Sequence, residues 1–216
     1  MEARRFIEFL GIIEKLKCNT RHSWTSTGRQ ESVAEHSHRC AVMAMLCADE
    51  FPELDINKVI KMCLIHDFGE AVTGDIPSFL KTDDQERTEA DAIDNLCARI
   101  PEAGLAPLFS EMREMKTPEA KLYKALDNLE AVISHNEAPL STWTELEYSL
   151  NLTYGEENCE QFEWTKALRA ELKRDSVRKI ASQAFPDGRT RIAGGIRLDS
   201  GEGLAKISHS ADRRKV

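Results

Sequence analysis

Asp127 lies in the middle of an apolar helical stripe. Over Pro118 to His135, Leu122, Ala125, Leu126, Leu129, Val132 and Ile133 recur at the three- and four-residue spacing of one helix face, around K-A-L-D-N-L-E-A-V. A carboxylate flanked on both sides by such a stripe is costly to bury unless it is paired or coordinated. A cap or a surface position does not fit, because the pattern continues unbroken on both sides.

A second polar intrusion lies upstream, in M-C-L-I-H-D-F-G-E-A-V-T-G-D-I-P, Met62 to Pro77. Four apolar or small residues lead into the adjacent pair His66-Asp67. At about 100° per residue, His66, Asp67 and Glu70 fall within one arc of a helix. A divalent cation uses such a pair at once, imidazole as nitrogen ligand and carboxylate as oxygen ligand. An isolated His-Asp pair is more often hydrogen-bonded or solvated, so a metal site requires further ligands. Gly74 is placed to stop the helix, with Asp75 just past it.

The remaining chain supplies candidates. Arg5 to Leu16 carries an apolar stripe. Thr20 to Gln30 is polar and aperiodic and is expected to be an extended loop, bearing Arg21, His22, Trp24 and Arg29. Glu31 to Glu50 reads as a helix capped by Ser32, with Glu35 completing a capping box. In that helix His36 shares the packing face with Cys40, while His38 points elsewhere. His36 is thus the better inward ligand, although a satisfied, partly buried histidine is the commoner fate of such a residue. Further helices are expected from an Asp55 cap to His66, over Gln85 to Ile100, Leu105 to Met115, Pro118 to His135, Leu140 to Leu152 and Phe162 to Ala184. Lys166, Arg169, Glu171, Lys173 and Arg174 are expected on the outer face of the last. No segment shows strand alternation, so the expected fold is all-α, a bundle of six to eight helices over residues 1–184. Residues 185–216 are rich in Gly, Ser and charge and read as a tail.

Composition narrows the function. A length of 216 residues suits one domain, or one with a tail. A net charge of -8 argues against a general nucleic-acid binder, though not against one small anion held by placed cations. No apolar run is long enough to span a membrane, and the N-terminus does not read as a signal peptide. Cysteines at 18, 40, 47, 63, 97 and 159 form no C-x-x-C pair; buried free thiols in a reducing, cytoplasmic setting are expected.

The order His36, His66-Asp67, Asp127, each on its own apolar helix, resembles the HD-domain superfamily of metal-dependent phosphohydrolases. The longer stretches R-H-S-W-T-S-T-G-R-Q-E-S-V-A-E-H-S and H-D-F-G-E-A-V-T-G-D-I-P-S-F-L-K are similar to those of the bacterial 5′-deoxynucleotidases and their eukaryotic HD-domain relatives, and the likeness runs from about Arg5 to Ala184. It implies that His36, His66, Asp67 and Asp127 hold one divalent ion: Mn²⁺, Co²⁺, Mg²⁺, Zn²⁺ or Fe²⁺. It further implies that Glu70 is the catalytic carboxylate, that Arg21 holds the phosphate, that Asp75 contacts the sugar hydroxyl, and that the chain forms a homodimer. Exposed apolar residues for that contact are sought around Trp143 and Leu146.

One departure stands out. The bacterial enzymes follow the arginine with tryptophan, at a position associated with selection for deoxyribose; this chain has His22, with Trp24 two residues displaced, and sugar preference stays open. None of the six histidines lies between Asp67 and Asp127, which disfavours the two-metal branches of the superfamily. Glu70-Ala71 replaces the acidic pair of the alarmone hydrolases. The expected activity is hydrolysis of (deoxy)nucleoside 5′-monophosphates. The alternatives are a small (d)NTP pyrophosphohydrolase or triphosphohydrolase, in which Lys81, Arg29 and His22 supply extra cations, and a non-catalytic metal-binding regulatory domain.

Overall fold

The computed structural model describes residues 1–77 and 80–184, together with three short strands near the C-terminus. Among the described residues, eight α-helices of nine residues or more follow one another: α1 (Ala3–Ile13), α2 (Val33–Leu46), α3 (Ile56–Ile65), α4 (Asp83–Arg99), α5 (Leu105–Glu114), α6 (Pro118–Glu137), α7 (Glu145–Thr153) and α8 (Glu163–Ala184). Single helical turns at Lys15–Cys18, Glu70–Thr73 and Glu156–Cys159 join them. The expected all-α bundle is what the chain forms.

Local chemistry sets the starts of these helices. Ser32 and Glu35 form a reciprocal capping box at α2, with Ser32 N donating to Glu35 Oε2 at 2.9 Å and Glu35 N to Ser32 Oγ at 3.3 Å. Asp55 caps α3 through Lys58 N at 3.0 Å. Thr117 caps α6 through Ala120 N at 3.2 Å, and Pro118 occupies the first helical position, where its missing N–H costs nothing.

Helix α6 is the axis of the bundle. It packs against α2, α3, α5, α8 and the Glu156–Cys159 turn. Twelve of its twenty residues are buried, among them Asp127, Asn128, Glu130 and Ser134, so it is enclosed on most sides and its polar groups must find partners inside the protein. The core around it includes Val59 and Met62 of α3 and Leu122, Leu126, Leu129 and Val132 of α6, all fully buried. Each such aliphatic side chain contributes about 1.5–3 kcal/mol on burial.

Four expectations need correction or qualification. Thr20 to Gln30 is not an extended loop: β1 (Thr20–Trp24) pairs antiparallel with β2 (Gln30–Ser32), closed by a turn in which Gly28 takes φ +80°. The hairpin escapes detection because its register shifts between Thr20↔Ser32 and Trp24↔Gln30, which erases the alternation. Arg169 is not on an outer face. It is buried, its Nε donating to Tyr154 O at 2.9 Å and its Nη2 to Asn151 O at 3.0 Å, because the inner face of α8 is itself polar, with Thr165 and Ser176 fully buried. Trp143 is also buried, its indole donating to His135 O at 3.0 Å, so it offers no exposed patch; Leu146 is exposed. Of residues 185–216, the described parts are β3 (Ile192–Ala193), β4 (Ile196–Leu198) and β5 (Ile207–His209), an antiparallel sheet in the order β3-β4-β5; the rest of the proposed tail lies outside the described residues.

Candidate active site

The chain does not run helically through the His66-Asp67 pair as a single α-helix. Helix α3 ends at Ile65, and the next bonds are tight: Phe68 N to Ile65 O at 2.9 Å, Glu70 N to Asp67 O at 3.0 Å and Ala71 N to Phe68 O at 3.2 Å. The Glu70–Thr73 turn follows and stops at Gly74, whose φ of +78° with ψ of 164° is an extended positive-φ conformation that only glycine adopts readily. The tightened coil keeps His66, Asp67 and Glu70 on one side of the chain.

Four ligand-type atoms converge there. His36 Nε2 lies 3.0 Å from Asp127 Oδ1, 3.2 Å from His66 Nε2 and 3.9 Å from Asp67 Oδ2. His66 Nε2 lies 3.2 Å from Asp67 Oδ2 and 3.6 Å from Asp127 Oδ1. Ligands ~2.1 Å from one ion stand ~3.0 Å apart at right angles and ~3.4 Å apart at tetrahedral angles, so the spacing is that of one coordination shell. The outer nitrogens fix the tautomers. His66 Nδ1 donates to Cys63 O at 2.8 Å, and His36 Nδ1 bonds the buried Glu130 carboxylate. With Nδ1 so engaged, each neutral imidazole would offer its Nε2 lone pair to a cation held beside the two carboxylate oxygens. Two imidazoles and two carboxylates suit a first-row divalent ion or Mg²⁺, and leave its identity open.

One cavity adjoins this cluster. Arg21, His22, His36, Asp67, Glu70, Asp75, Lys81 and Asp127 all line it, while His66 sits just behind with little exposure. The hairpin bulge brings the neighbours Arg21 and His22 into the same cavity. Arg21 Nη1 donates to Glu31 Oε2 at 2.9 Å and reaches Glu130 Oε2 at 3.4 Å. His22 Nε2 lies 3.2 Å from Glu147 Oε1. Lys81 pairs with Glu89.

The field in the cavity divides the carboxylates. Burial, with the charges of Asp67, Asp75 and Glu89, pushes Glu70 up to about 10, and one of its oxygens, Oε2, is buried without a hydrogen-bond partner. Burial likewise raises Asp75, against the pull of Arg21. Asp127 goes the other way. Burial opposes its charge, but Lys124 and the two histidines hold it well below the usual carboxylate range. Glu130, buried between His36, Arg21 and Arg39, is lowered to about 2.

Several of these residues are not evident from the sequence reading. Lys124 donates to Asp127 Oδ2 at 2.7 Å, which leaves Oδ1 for the cluster. Glu130 is fully buried and gathers His36, Arg39 Nε at 2.7 Å and Ser134 Oγ at 3.0 Å. Lys124 precedes Asp127 by three residues and Glu130 follows it by three, so K-x-x-D-x-x-E on one helix face was the available signal. Glu31 and His135 carry no comparable signal, since their carboxylate and cation partners lie on other elements, and Glu147 shows in the sequence only as the last residue of the Thr144-x-x-Glu147 capping box.

A family model described as the HD domain matches residues 13–168. The chain belongs to the HD-domain family. It is 28% identical over 173 residues to the 5′-deoxynucleotidase hdd1 of Schizosaccharomyces pombe, spanning 75% of this chain and 81% of that protein. It is 31% identical over 142 residues to the Homo sapiens 5′-deoxynucleotidase HDDC2, spanning 62% of this chain and 69% of the relative. Among solved structures, a protein of Magnetospirillum magnetotacticum described as a predicted metal-dependent phosphohydrolase superposes with a TM-score of 0.68 at 28% identity, over 82% of this chain and 93% of the other. In this HD domain the H…HD…D residues are those whose ligand atoms converge.

Proposed function

We propose that the chain is a metal-dependent phosphomonoesterase that hydrolyses (deoxy)nucleoside 5′-monophosphates to nucleoside and phosphate. The observation that carries the reading is the ring of four inward-facing acceptor atoms, 3.0–3.9 Å apart where measured from the histidines, opening on a cavity that also holds Arg21, Lys81 and Lys124. The names of the similar proteins support it.

In this reading His36, His66, Asp67 and Asp127 hold one divalent ion. When bound, that ion draws charge from phosphoryl oxygens and acidifies a coordinated water. Arg21 binds the phosphate. Its guanidinium is already fixed by Glu31 and Glu130, so little ordering is left to be done on binding. Glu70 is the proton-handling carboxylate: buried beside Asp67 without being one of the four ligands, it takes or returns the proton exchanged between water and leaving oxygen. Asp75, past the Gly74 stop, contacts the sugar, and Lys81 adds charge at the mouth.

The monophosphate reading is favoured over a triphosphate substrate because each lysine in the cavity is already matched by a carboxylate, Lys81 by Glu89 and Lys124 by Asp127. A triphosphate would bring about four negative charges to a site with no such surplus. Residues 1–184 form the catalytic domain in this reading. A cytoplasmic location accords with five buried free cysteines, and no described helix is long and apolar enough to cross a membrane. A homodimer is part of the same reading; with Trp143 buried, the exposed Phe6, Ile7 and Leu10 of α1 are the better contact, and a monomer by light scattering at micromolar concentration would remove it.

The test is phosphate release from a panel of ribo- and deoxynucleoside 5′-monophosphates and triphosphates, with Mn²⁺, Co²⁺, Mg²⁺, Zn²⁺ and Fe²⁺ in turn. Inorganic phosphate from monophosphates is expected. Polyphosphate from triphosphates alone would transfer the chain to the rival activity, and no release under any ion would leave only a binding domain.

A further inference from the structure

The end of the cavity away from the metal cluster is walled by residues that the phosphate chemistry does not use. Asp127, Ala131 and His135 stand four residues apart on α6 and all line the cavity, so it follows that helix for about 12 Å at 1.5 Å per residue. At its far end α6 meets α7 and α8. His135 is already committed there. Its Nε2 lies 2.9 Å from Glu147 Oε1, and Glu147 Oε2 accepts Thr144 N at 2.6 Å in the capping box that starts α7. Asn151, also on α7, lines the same end and is only 5% exposed.

A chain of hydrogen bonds ending on the backbone fixes which way the Asn151 amide faces. Asn136 Nδ2 donates to Leu172 O at 3.0 Å, and a carbonyl oxygen can only accept. Asn136 Oδ1 is therefore the acceptor of that amide, and Asn151 Nδ2 donates to it at 3.1 Å. Asn151 Nδ2 also donates to the fully buried Ser176 Oγ at 2.8 Å. Both its N–H groups are thus spent on α6 and α8, and Oδ1 is turned away from them. Arg169 secures the backbone behind it, donating to Asn151 O at 3.0 Å and Tyr154 O at 2.9 Å. Among the described residues no donor meets Asn151 Oδ1, yet this oxygen is not sealed from solvent; it is the polar atom that the residue shows the cavity. A joint between three helices uses the two donors. It has no use for an acceptor left without a partner in a nearly buried side chain, which is costly wherever nothing donates to it.

We propose that Asn151 contacts the nucleobase: its Oδ1 accepts an N–H from the edge of the base, the 6-amino group when the base is adenine. The inference rests on the monophosphate reading above, which puts the phosphate at Arg21 and the metal ligands and so lays the base along α6 at the far end. Water serves the oxygen in the free protein, and the base N–H replaces it. The oxygen is fixed before the base arrives, so little ordering is left to be done on binding. A base without an N–H on that edge leaves the oxygen unmatched and binds more weakly.

The experiment compares dAMP with the 5′-monophosphate of purine 2′-deoxyriboside, which carries hydrogen in place of the 6-amino group. Phosphate release by the full chain loaded with Co²⁺ gives kcat/KM for the two nucleotides. Calorimetry gives Kd for the two nucleosides, which do not turn over. The wild type is expected to favour the amino form by about three- to tenfold in both measurements, the range of one neutral hydrogen bond. Asn151→Ala should bring both ratios close to one, with thermal melting to check that the fold is kept. The wild-type comparison needs no variant, so it decides the matter even if Asn151→Ala does not fold. Equal ratios in the wild type overturn the inference, as does a folded Asn151→Ala protein that keeps the wild-type preference. Phosphate release with no amino preference would discard this inference and keep the phosphomonoesterase reading. An amino preference in nucleoside binding, in a chain that releases no phosphate, would do the reverse.

Discussion

The two ends of the cavity are built differently. At the metal end every ligand is delivered by, or directly after, a buried helix: His36 from α2, His66 and Asp67 from the end of α3, and Asp127 from α6. The second atoms of His36, His66 and Asp127 are also bonded, to Glu130, Cys63 O and Lys124. At the substrate end the side chains come from edges: Arg21 and His22 from an irregular strand, Asp75 and Lys81 from the connection between the Glu70–Thr73 turn and α4. In the proposed reading, the metal chemistry sits on packed helices, whereas the groups that meet the substrate come from the irregular segments between them.

The sharpest way to break this contrast is at the metal end. Asp67→Ala should lose the ion and reduce phosphate release to background, read by elemental analysis beside the activity assay; full ion occupancy in that variant would remove Asp67 from the ligand set. Glu70→Ala comes next. It should keep the ion and lose kcat by roughly 10²–10⁴-fold, the range of a general acid–base group. Ion loss on that substitution would make Glu70 a ligand, and unchanged kcat would free it of any catalytic role. Glu130→Gln tests whether the outer layer matters. With the carboxylate behind His36 neutralised, ion affinity should weaken about 10–100-fold in a competitive chelator titration.

The smallest effect is expected at the substrate end, in acid. Burial opposes ionisation of Glu147, but His135 and the Thr144 cap outweigh it and lower its carboxyl to about 2 from an ordinary 4.5. A depressed carboxylate contributes stability that is complete above the unfolded value and is lost as pH falls towards the folded one. The wild type should therefore lose stability relative to Glu147→Gln between about pH 4.5 and 2, followed by chemical denaturation. Parallel curves would show that Glu147 is not held charged by its partners.

Much of this molecule was legible in its sequence because helices and their caps are local. The stripe around Asp127, the Ser32–Glu35 box, the Asp55 cap and the Gly74 stop depend on neighbours three or four residues away, and periodicity exposes them. The ligand candidates were legible for a related reason, since a carboxylate or imidazole inside an apolar stripe conflicts with its surroundings and demands a partner. Only the tertiary structure decided which partners those are. Glu130 meets His36 across 94 residues, and Glu147 stands between His22 and His135 on two other elements. Arg169 looks like a surface charge until its guanidinium is seen on the carbonyls of Asn151 and Tyr154. The bulge that turns Arg21 and His22 together removes the very alternation by which a strand is read. Contacts within one helical turn leave a pattern in the sequence; pairings of charge across the bundle leave none, because any distant residue of opposite charge could have made them.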